Sequence, residues 1–294
     1  MYSNLKKIKI MKTKKLFGIM ALSAIFSLAS CSKDSSTSTD TSLTTTDVLT
    51  SRKIDQASDD VSSVVEDQFT QQFPSETGKS ANAVASLLTS CTVVHTTVTS
   101  TTWSREIVFT NCPFNGNTLN GTIIVSGSLP FTPGSYVINY QFVNFTHNGN
   151  LIEGTKTVTR TMAGSTLLTA VHPIHTMDID MTVTFASGGG VYHRVGTRTR
   201  ECVAGYGLPI NSDARVYKVY GNMTTTRPDG GTQTNVILVG SPLTFENNCQ
   251  YKLVSGIITI TRPNHSAILD FGNGTCDANY TIAIDGGTPV VHTF

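Results

Sequence analysis

No stretch of this sequence is long and apolar enough to cross a bilayer as a helix. The apolar run Leu16 to Leu28 covers about 13 residues, where a span needs roughly 20, and it follows Lys14 and Lys15, the layout of a secretion signal. Chemical motifs are missing as well. There is no Gly-x-Ser-x-Gly elbow, His-Glu-x-x-His pair, P-loop or dinucleotide glycine pattern, which argues against an enzyme, although paired carboxylates leave no local signature. Positive charge is scarce beyond the leader. Six lysines (Lys6, Lys7, Lys9, Lys12, Lys14, Lys15) precede residue 31, so the rest carries 15 basic and 20 acidic residues, net −5. That excess of acid speaks against nucleic acid or an anionic lipid surface as partner.

The run ends in Leu28-Ala29-Ser30-Cys31. Small residues leading to a cysteine behind a lysine-flanked apolar run resemble the lipobox of bacterial lipoproteins. The resemblance implies cleavage before Cys31, a diacylglyceryl group on its thiol and an acylated amino terminus, together a firm membrane anchor. Ser32 in place of Asp implies the outer membrane, with the periplasmic and cell-surface faces both open. Met11 opens a more typical leader than Met1, so either is a candidate start. On this reading residues 1–30 are signal peptide, and residues 31–46 are the lipidated cysteine and a disordered Ser/Thr tether. A helical segment then occupies 47–90 and a β domain 91–294.

With Cys31 acylated, five cysteines remain in a compartment that permits disulfides. Cys91 and Cys112 flank Thr101-Thr102 symmetrically, and Cys249 and Cys276 flank Pro263-Asn264 almost so. A two-residue turn at each midpoint would bring the pair together, which predicts bridges Cys91–Cys112 and Cys249–Cys276 and leaves Cys202 free. Cys202 then reads as a small buried apolar residue.

Ile54, Ala57, Val61, Val64, Val65, Phe69 and Phe73 recur at three- and four-residue steps, predicting one amphipathic helix capped by Asp47 or Thr46 and ended by Pro74 and Gly78. Its stripe either docks on the domain behind it or binds a partner. A further short helical turn is expected within 81–90. From Cys91 onward Thr, Val, Ile, Tyr and Phe are punctuated by Gly, Asn and Pro, the composition of strands and turns. Met177, Ile179, Met181 and Val183 alternate with Asp178, Asp180, Thr182 and Thr184, so one face is buried and the other wet. The expectation is an all-β body of about thirteen antiparallel strands, a β-sandwich or β-roll, preceded by the helix.

Two finer readings follow. A three-residue loop centred on Gly188 would pair Asp178 with Arg198 and Thr182 with Arg194, placing Asp178, Asp180, Arg194 and Arg198 in a charged ladder on the wet face beside Tyr192. That ladder is either a strip for a polar ligand or a set of solvated cross-strand pairs. Residues 108–122 also match 141–155 at an offset of 33, with Phe, Asn, Asn-Gly-Asn and Gly-Thr in register. Each copy reads as strand, tight turn, strand.

The hairpins Asn115-Gly116-Asn117 and Asn148-Gly149-Asn150, the segment Thr197 to Gly207 and the closing Leu269 to Asp277 resemble those of uncharacterised Bacteroidetes-type outer-membrane lipoproteins. The likeness spans roughly 91–294 and implies fold, disulfides and location, with no activity attached.

Candidate metal ligands weigh little. Asp270, Asn273 and Asp277 offer oxygens but too few carboxylates for calcium, and an Asn-Gly turn explains them. His172 and His175 point to opposite faces of an extended chain. No metal or cofactor is expected. Sugar platforms use exposed rings, for which Trp103 is the single tryptophan and Tyr192, Tyr206, Tyr217 and Tyr220 the substitutes. The terminal Phe294 invites an outer-membrane barrel, against which stand the lipobox, the disulfides and the lack of aromatic girdles. The sequence therefore reads as a lipid-anchored envelope protein that binds or scaffolds, with a glycan or another envelope protein as candidate partner. The alternatives are a carbohydrate-binding accessory lipoprotein of a glycan-uptake system and a carboxylate-based hydrolase.

Overall fold

The computed structural model describes residues 42–73, 86–131, 134–250 and 252–294. Cys31, the leader and tether residues 31–41 lie outside them, as do Pro74, Gly78 and 81–85. Helix α1 spans Thr45–Gln72. Its cap is Thr44 rather than Thr46 or Asp47, because Asp47 stands at the third helical position and completes a capping box. Thr44 Oγ1 accepts from the Asp47 N–H at 3.2 Å, and the Asp47 carboxylate accepts from the Thr44 N–H at 2.9 Å. Ordered structure thus begins before Asp47, with Leu43 already buried. Residues 86–90 form no helical turn.

Fourteen strands follow. They are β1 (Thr92–Val98), β2 (Thr102–Phe114), β3 (Asn117–Ser128), β4 (Ser135–His147), β5 (Asn150–Ala163), β6 (His172–Phe185) and β7 (Gly190–Ala204). The rest are β8 (Val216–Thr226), β9 (Thr232–Ile237), β10 (Leu243–Glu246), β11 (Leu253–Arg262), β12 (His265–Asn273), β13 (Asn279–Ile284) and β14 (Val290–Thr293). All pairings are antiparallel within one sheet. Neighbours in sequence pair from β1 to β8, then β10 to β14, while β9 bonds both β8 and β11. The body is all-β as expected, but one continuous sheet takes the place of a sandwich.

That sheet curls about α1. Arg105 of β2, His147 of β4, Lys156 and Arg160 of β5, Arg194 and Arg198 of β7, Asn235 of β9, Arg262 of β11 and Tyr280 of β13 all contact the helix. The apolar stripe docks inward as its period requires, yet Ser51, Asp55, Ser58, Asp60, Ser62 and Asp67 are buried too. The helix is the axis of the core. Its C-terminal half packs with Trp103, Ile107, Ile123, Ile138 and Phe145, and its first turn with Val219, Ile258, Leu269 and Ile282.

The 33-residue repeat has a backbone meaning. Asn111 and Asn144 sit at bulges with φ of 49° and 48°, and Asn115-Gly116 and Asn148-Gly149 form turns with both residues at positive φ. Gly121 and Gly154 close the copies where the next strand comes too near for a side chain. A Cβ there would lie 2.1 Å from the Asn144 carbonyl oxygen and 2.2 Å from that of Asp180.

Both expected disulfides are present, with Cα atoms 5.4 Å apart in each, and Cys202 is free and buried. The first forms despite a different register. Val98 pairs with Trp103, so the β1–β2 turn sits earlier than the Thr101-Thr102 midpoint, and the Asn111 bulge returns Cys112 to Cys91.

The β6–β7 hairpin corrects the ladder. Its loop has four residues, 186–189, closed by a 3-10 turn, so Phe185 pairs with Gly190, Met177 with Arg198, Met181 with Arg194 and Asp178 with Thr197. A slip of one residue exchanges the two faces. Arg194 and Arg198 therefore point inward, while Asp178 and Asp180 remain in water.

Candidate functional site

The inner face of the sheet carries cations aimed at acids on the helix. Asp55 Oδ1 accepts from both Arg194 Nη1 and, at 2.7 Å, Arg198 Nη2. Arg194 further donates to Ser51 Oγ at 2.6 Å and to Thr225 Oγ1 at 2.9 Å. Both arginines are only 1% exposed. One turn on, Asp60 bonds the His147 ring and the Asn115 and Asn117 amides, each at 2.8 Å. Glu66 meets Arg160, and Asp47 meets Arg262 at 2.8 Å. Desolvation makes such pairs costly, and losing one partner strands the other charge.

Titration follows the same logic. Burial alone would raise the Glu66 pKa, but Arg160, with His175, Arg200 and Arg215 behind it, outweighs that and leaves it at about 2. Burial pushes His175 down to about 3, against the pull of Glu66. Burial likewise takes Lys156 to about 7, its amine donating to Ser58 O at 3.1 Å and Ser62 Oγ at 2.5 Å.

Between α1 and strands β7, β8, β10, β11 and β12 lies a cleft of ≈ 500 Å³, within the range of small-molecule sites. The helix lines it with Arg52, Gln56, Asp59 and Ser63; the strands and turns opposite supply Arg200, Tyr217, Leu243, Lys252, Ile258 and Phe271. The Arg200 guanidinium lies over the Tyr217 ring at 3.8 Å, and Lys252 Nζ donates to Asn115 Oδ1 at 3.2 Å. Arg52 stands over Tyr280 and Phe294, 4.8 and 4.5 Å from the ring centroids. Among the described residues, Arg200 and Lys252 have no carboxylate within ion-pair distance. Among the described residues the Asp59 carboxylate accepts no hydrogen bond, its backbone carbonyl alone accepting one from Ser63 Oγ, and burial raises its pKa.

The residues named from sequence do not assemble into a surface. Trp103 is 1% exposed, its Nε1–H donating to Tyr136 OH at 2.5 Å and its ring edge-on to Phe73, so it cannot stack a sugar. Tyr192 is half-buried against Phe185. Asp178 accepts from Thr197 and Asp180 meets His193 on the outer face, apart from Arg194 and Arg198. Tyr206 is exposed, Tyr217 lines the cleft, and Tyr220 donates to Glu201. His172 and His175 do take opposite faces, bonding Glu201 and facing Glu66. Oxygens of Asp270, Asn273 and Asp277 accept within their own turns. Burial pushes the Cys202 thiol up. Glu246 lies near Cys249 and Cys276, but those sulfurs form the disulfide.

Sequence reasoning missed Arg52, Asp59, Arg200 and Lys252. The available signal was six acids, Asp47, Asp55, Asp59, Asp60, Glu66 and Asp67, on one helix, more than a wet stripe requires when the strands carry matching cations. No family model, no curated protein and no solved structure matches the chain.

Proposed function

We propose that this chain is a lipid-anchored protein of the bacterial outer membrane whose body binds a small molecule in the cleft beside α1. The anchor rests on the lipobox-like Leu28-Ala29-Ser30-Cys31. Binding rests on one observation, a cleft of ≈ 500 Å³ with unpaired cations and an apolar wall. The hydrolase alternative loses ground because two-carboxylate chemistry needs two free acids. Asp55 and Asp60 are engaged by Arg194, Arg198, His147 and two asparagines, which leaves Asp59 alone. The glycan-platform alternative loses its ring in Trp103. Scaffolding remains the second reading, favoured by the threonine-rich outer face of β5, which carries Thr155, Thr157, Thr159 and Thr161.

Native mass spectrometry of the full chain extracted from membranes tests the cleft. One small-molecule adduct per protein is expected, lost in Gln56→Trp, which fills the cleft from the helix side. A wild-type protein without adduct, or a variant that keeps it, would defeat the binding reading. Cys31→Ala is expected to abolish palmitate labelling and membrane fractionation.

A further inference from the structure

We infer that the cleft takes an anionic amphiphile, its carboxylate head between Arg200 and Lys252 and its single apolar tail along Leu243, Ile258 and Phe271. This rests on the cleft being a binding site and adds the class of ligand. The two ends of the cavity differ in chemistry. A smaller hollow of ≈ 220 Å³ adjoins the cleft, and the residues common to both are Ser63, Asn115, Arg200, Tyr217, Asn247 and Lys252. That junction holds two cations, two amides and two hydroxyls. Away from it the strand side of the wall is apolar, with Leu243, Leu253, Ile258 and Phe271 facing the polar side chains of α1. Polar head and greasy tail are thus sorted along one cavity.

The sign of the head follows from the local balance of charge. Asp55 already serves Arg194 and Arg198, and Asp60 serves His147, so neither pairs directly with Arg200 or Lys252, although the Asp60 charge is felt at Lys252. Asp59 is the one acid of the lining left to set against Arg52, Arg200 and Lys252, which leaves an excess of positive charge even when it is ionised. A carboxylate answers part of that excess, and a guanidinium presents it with paired N–H donors. Arg200 and Lys252 also repel one another. Partial burial at the cleft mouth and the nearby guanidinium both hold the Lys252 amine below its usual range, with Asp60 pulling the other way. An anion between the two relieves that repulsion. A neutral alcohol or sugar leaves both charges unanswered and gains less.

Photo-crosslinking in membranes that carry the full chain tests the assignment, using dodecanoate and dodecanol that each bear a diazirine in the tail. The acid is expected to label β11 or β12 at least about tenfold more than the alcohol, the ratio one charge-assisted contact provides. Arg200→Met with Lys252→Met should reduce labelling by the acid to that by the alcohol. Lys252→Met alone, at an exposed position, should reduce it in part. Equal labelling by the two probes in the wild type would overturn the anionic head and leave the cleft as a binding site. Labelling of these strands by neither probe would overturn both.

Discussion

Asp55 carries two arginines on one carboxylate oxygen, so its replacement tests the inner face directly. Asp55→Asn leaves Arg194 and Arg198 buried without an anion and is expected to cost about 3–5 kcal/mol in urea denaturation. Asp180→Asn, on the outer face with its side chain in water, should change stability by less than about 0.5 kcal/mol. Equal costs would contradict the β6–β7 register. Acid titration reads the same interior. His175 has an ordinary pKa of 6.5 and is buried neutral, so its contribution is complete above pH 6.5 and is lost as the pH falls toward 3. Glu66, depressed from 4.5 to about 2, contributes fully above 4.5 and loses that contribution between there and 2. The melting temperature should therefore fall from about pH 6.5 downward, more steeply below 4.5, and Glu66→Gln should flatten the lower part. The Cys249–Cys276 pair was legible because the turn at Pro263-Asn264 sets its partners, whereas Cys91–Cys112 was named from a midpoint that the turn misses and the Asn111 bulge restores. The fate of Arg194 and Arg198 was not, since a loop longer by one residue decides which face they take and polarity alone assigns them to water.

Among the elements, the hairpins explain their own repetition. Gly149→Ala, in an open turn at φ 77°, should cost about 1 kcal/mol for its left-handed backbone. Gly154→Ala meets the backbone of β6 in addition and should cost more than about 3 kcal/mol, or fail to fold. Thermal melts of the pair separate backbone conformation from close approach, and similar losses would remove the second cause. The offset of 33 announced these hairpins, since Asn-Gly needs no tertiary context to turn. Helix α1 was legible as a helix from its apolar period. The burial of its polar face was not, because Ser and Asp along a helix read as a wet face until strand cations are known to oppose them. Thr44→Ala should cost about 1 kcal/mol, which tests the capping box.

For the whole molecule, alternation along the strands established an antiparallel body with one covered face, but alternation is silent on what covers it. A second sheet, as in a sandwich, was one of the two forms expected; a helix with matched charges does the same work here. Each disulfide closes a loop of 21 or 27 residues, and replacing Cys249 and Cys276 by alanine should lower unfolding free energy by about 3 kcal/mol in the chain-entropy account. The first and nearly the last of the described elements are also coupled through the interior. Arg52 reaches Tyr280 across 228 residues of sequence, so the first of the described elements is enclosed by nearly the last. A chain delivered from its amino terminus must therefore keep the acids of α1 hydrated until β13 arrives, and high sequence separation of this kind slows folding. Synthesis halted short of Tyr280 would leave an unfinished wrapper around a wet core, a natural target for proteolysis.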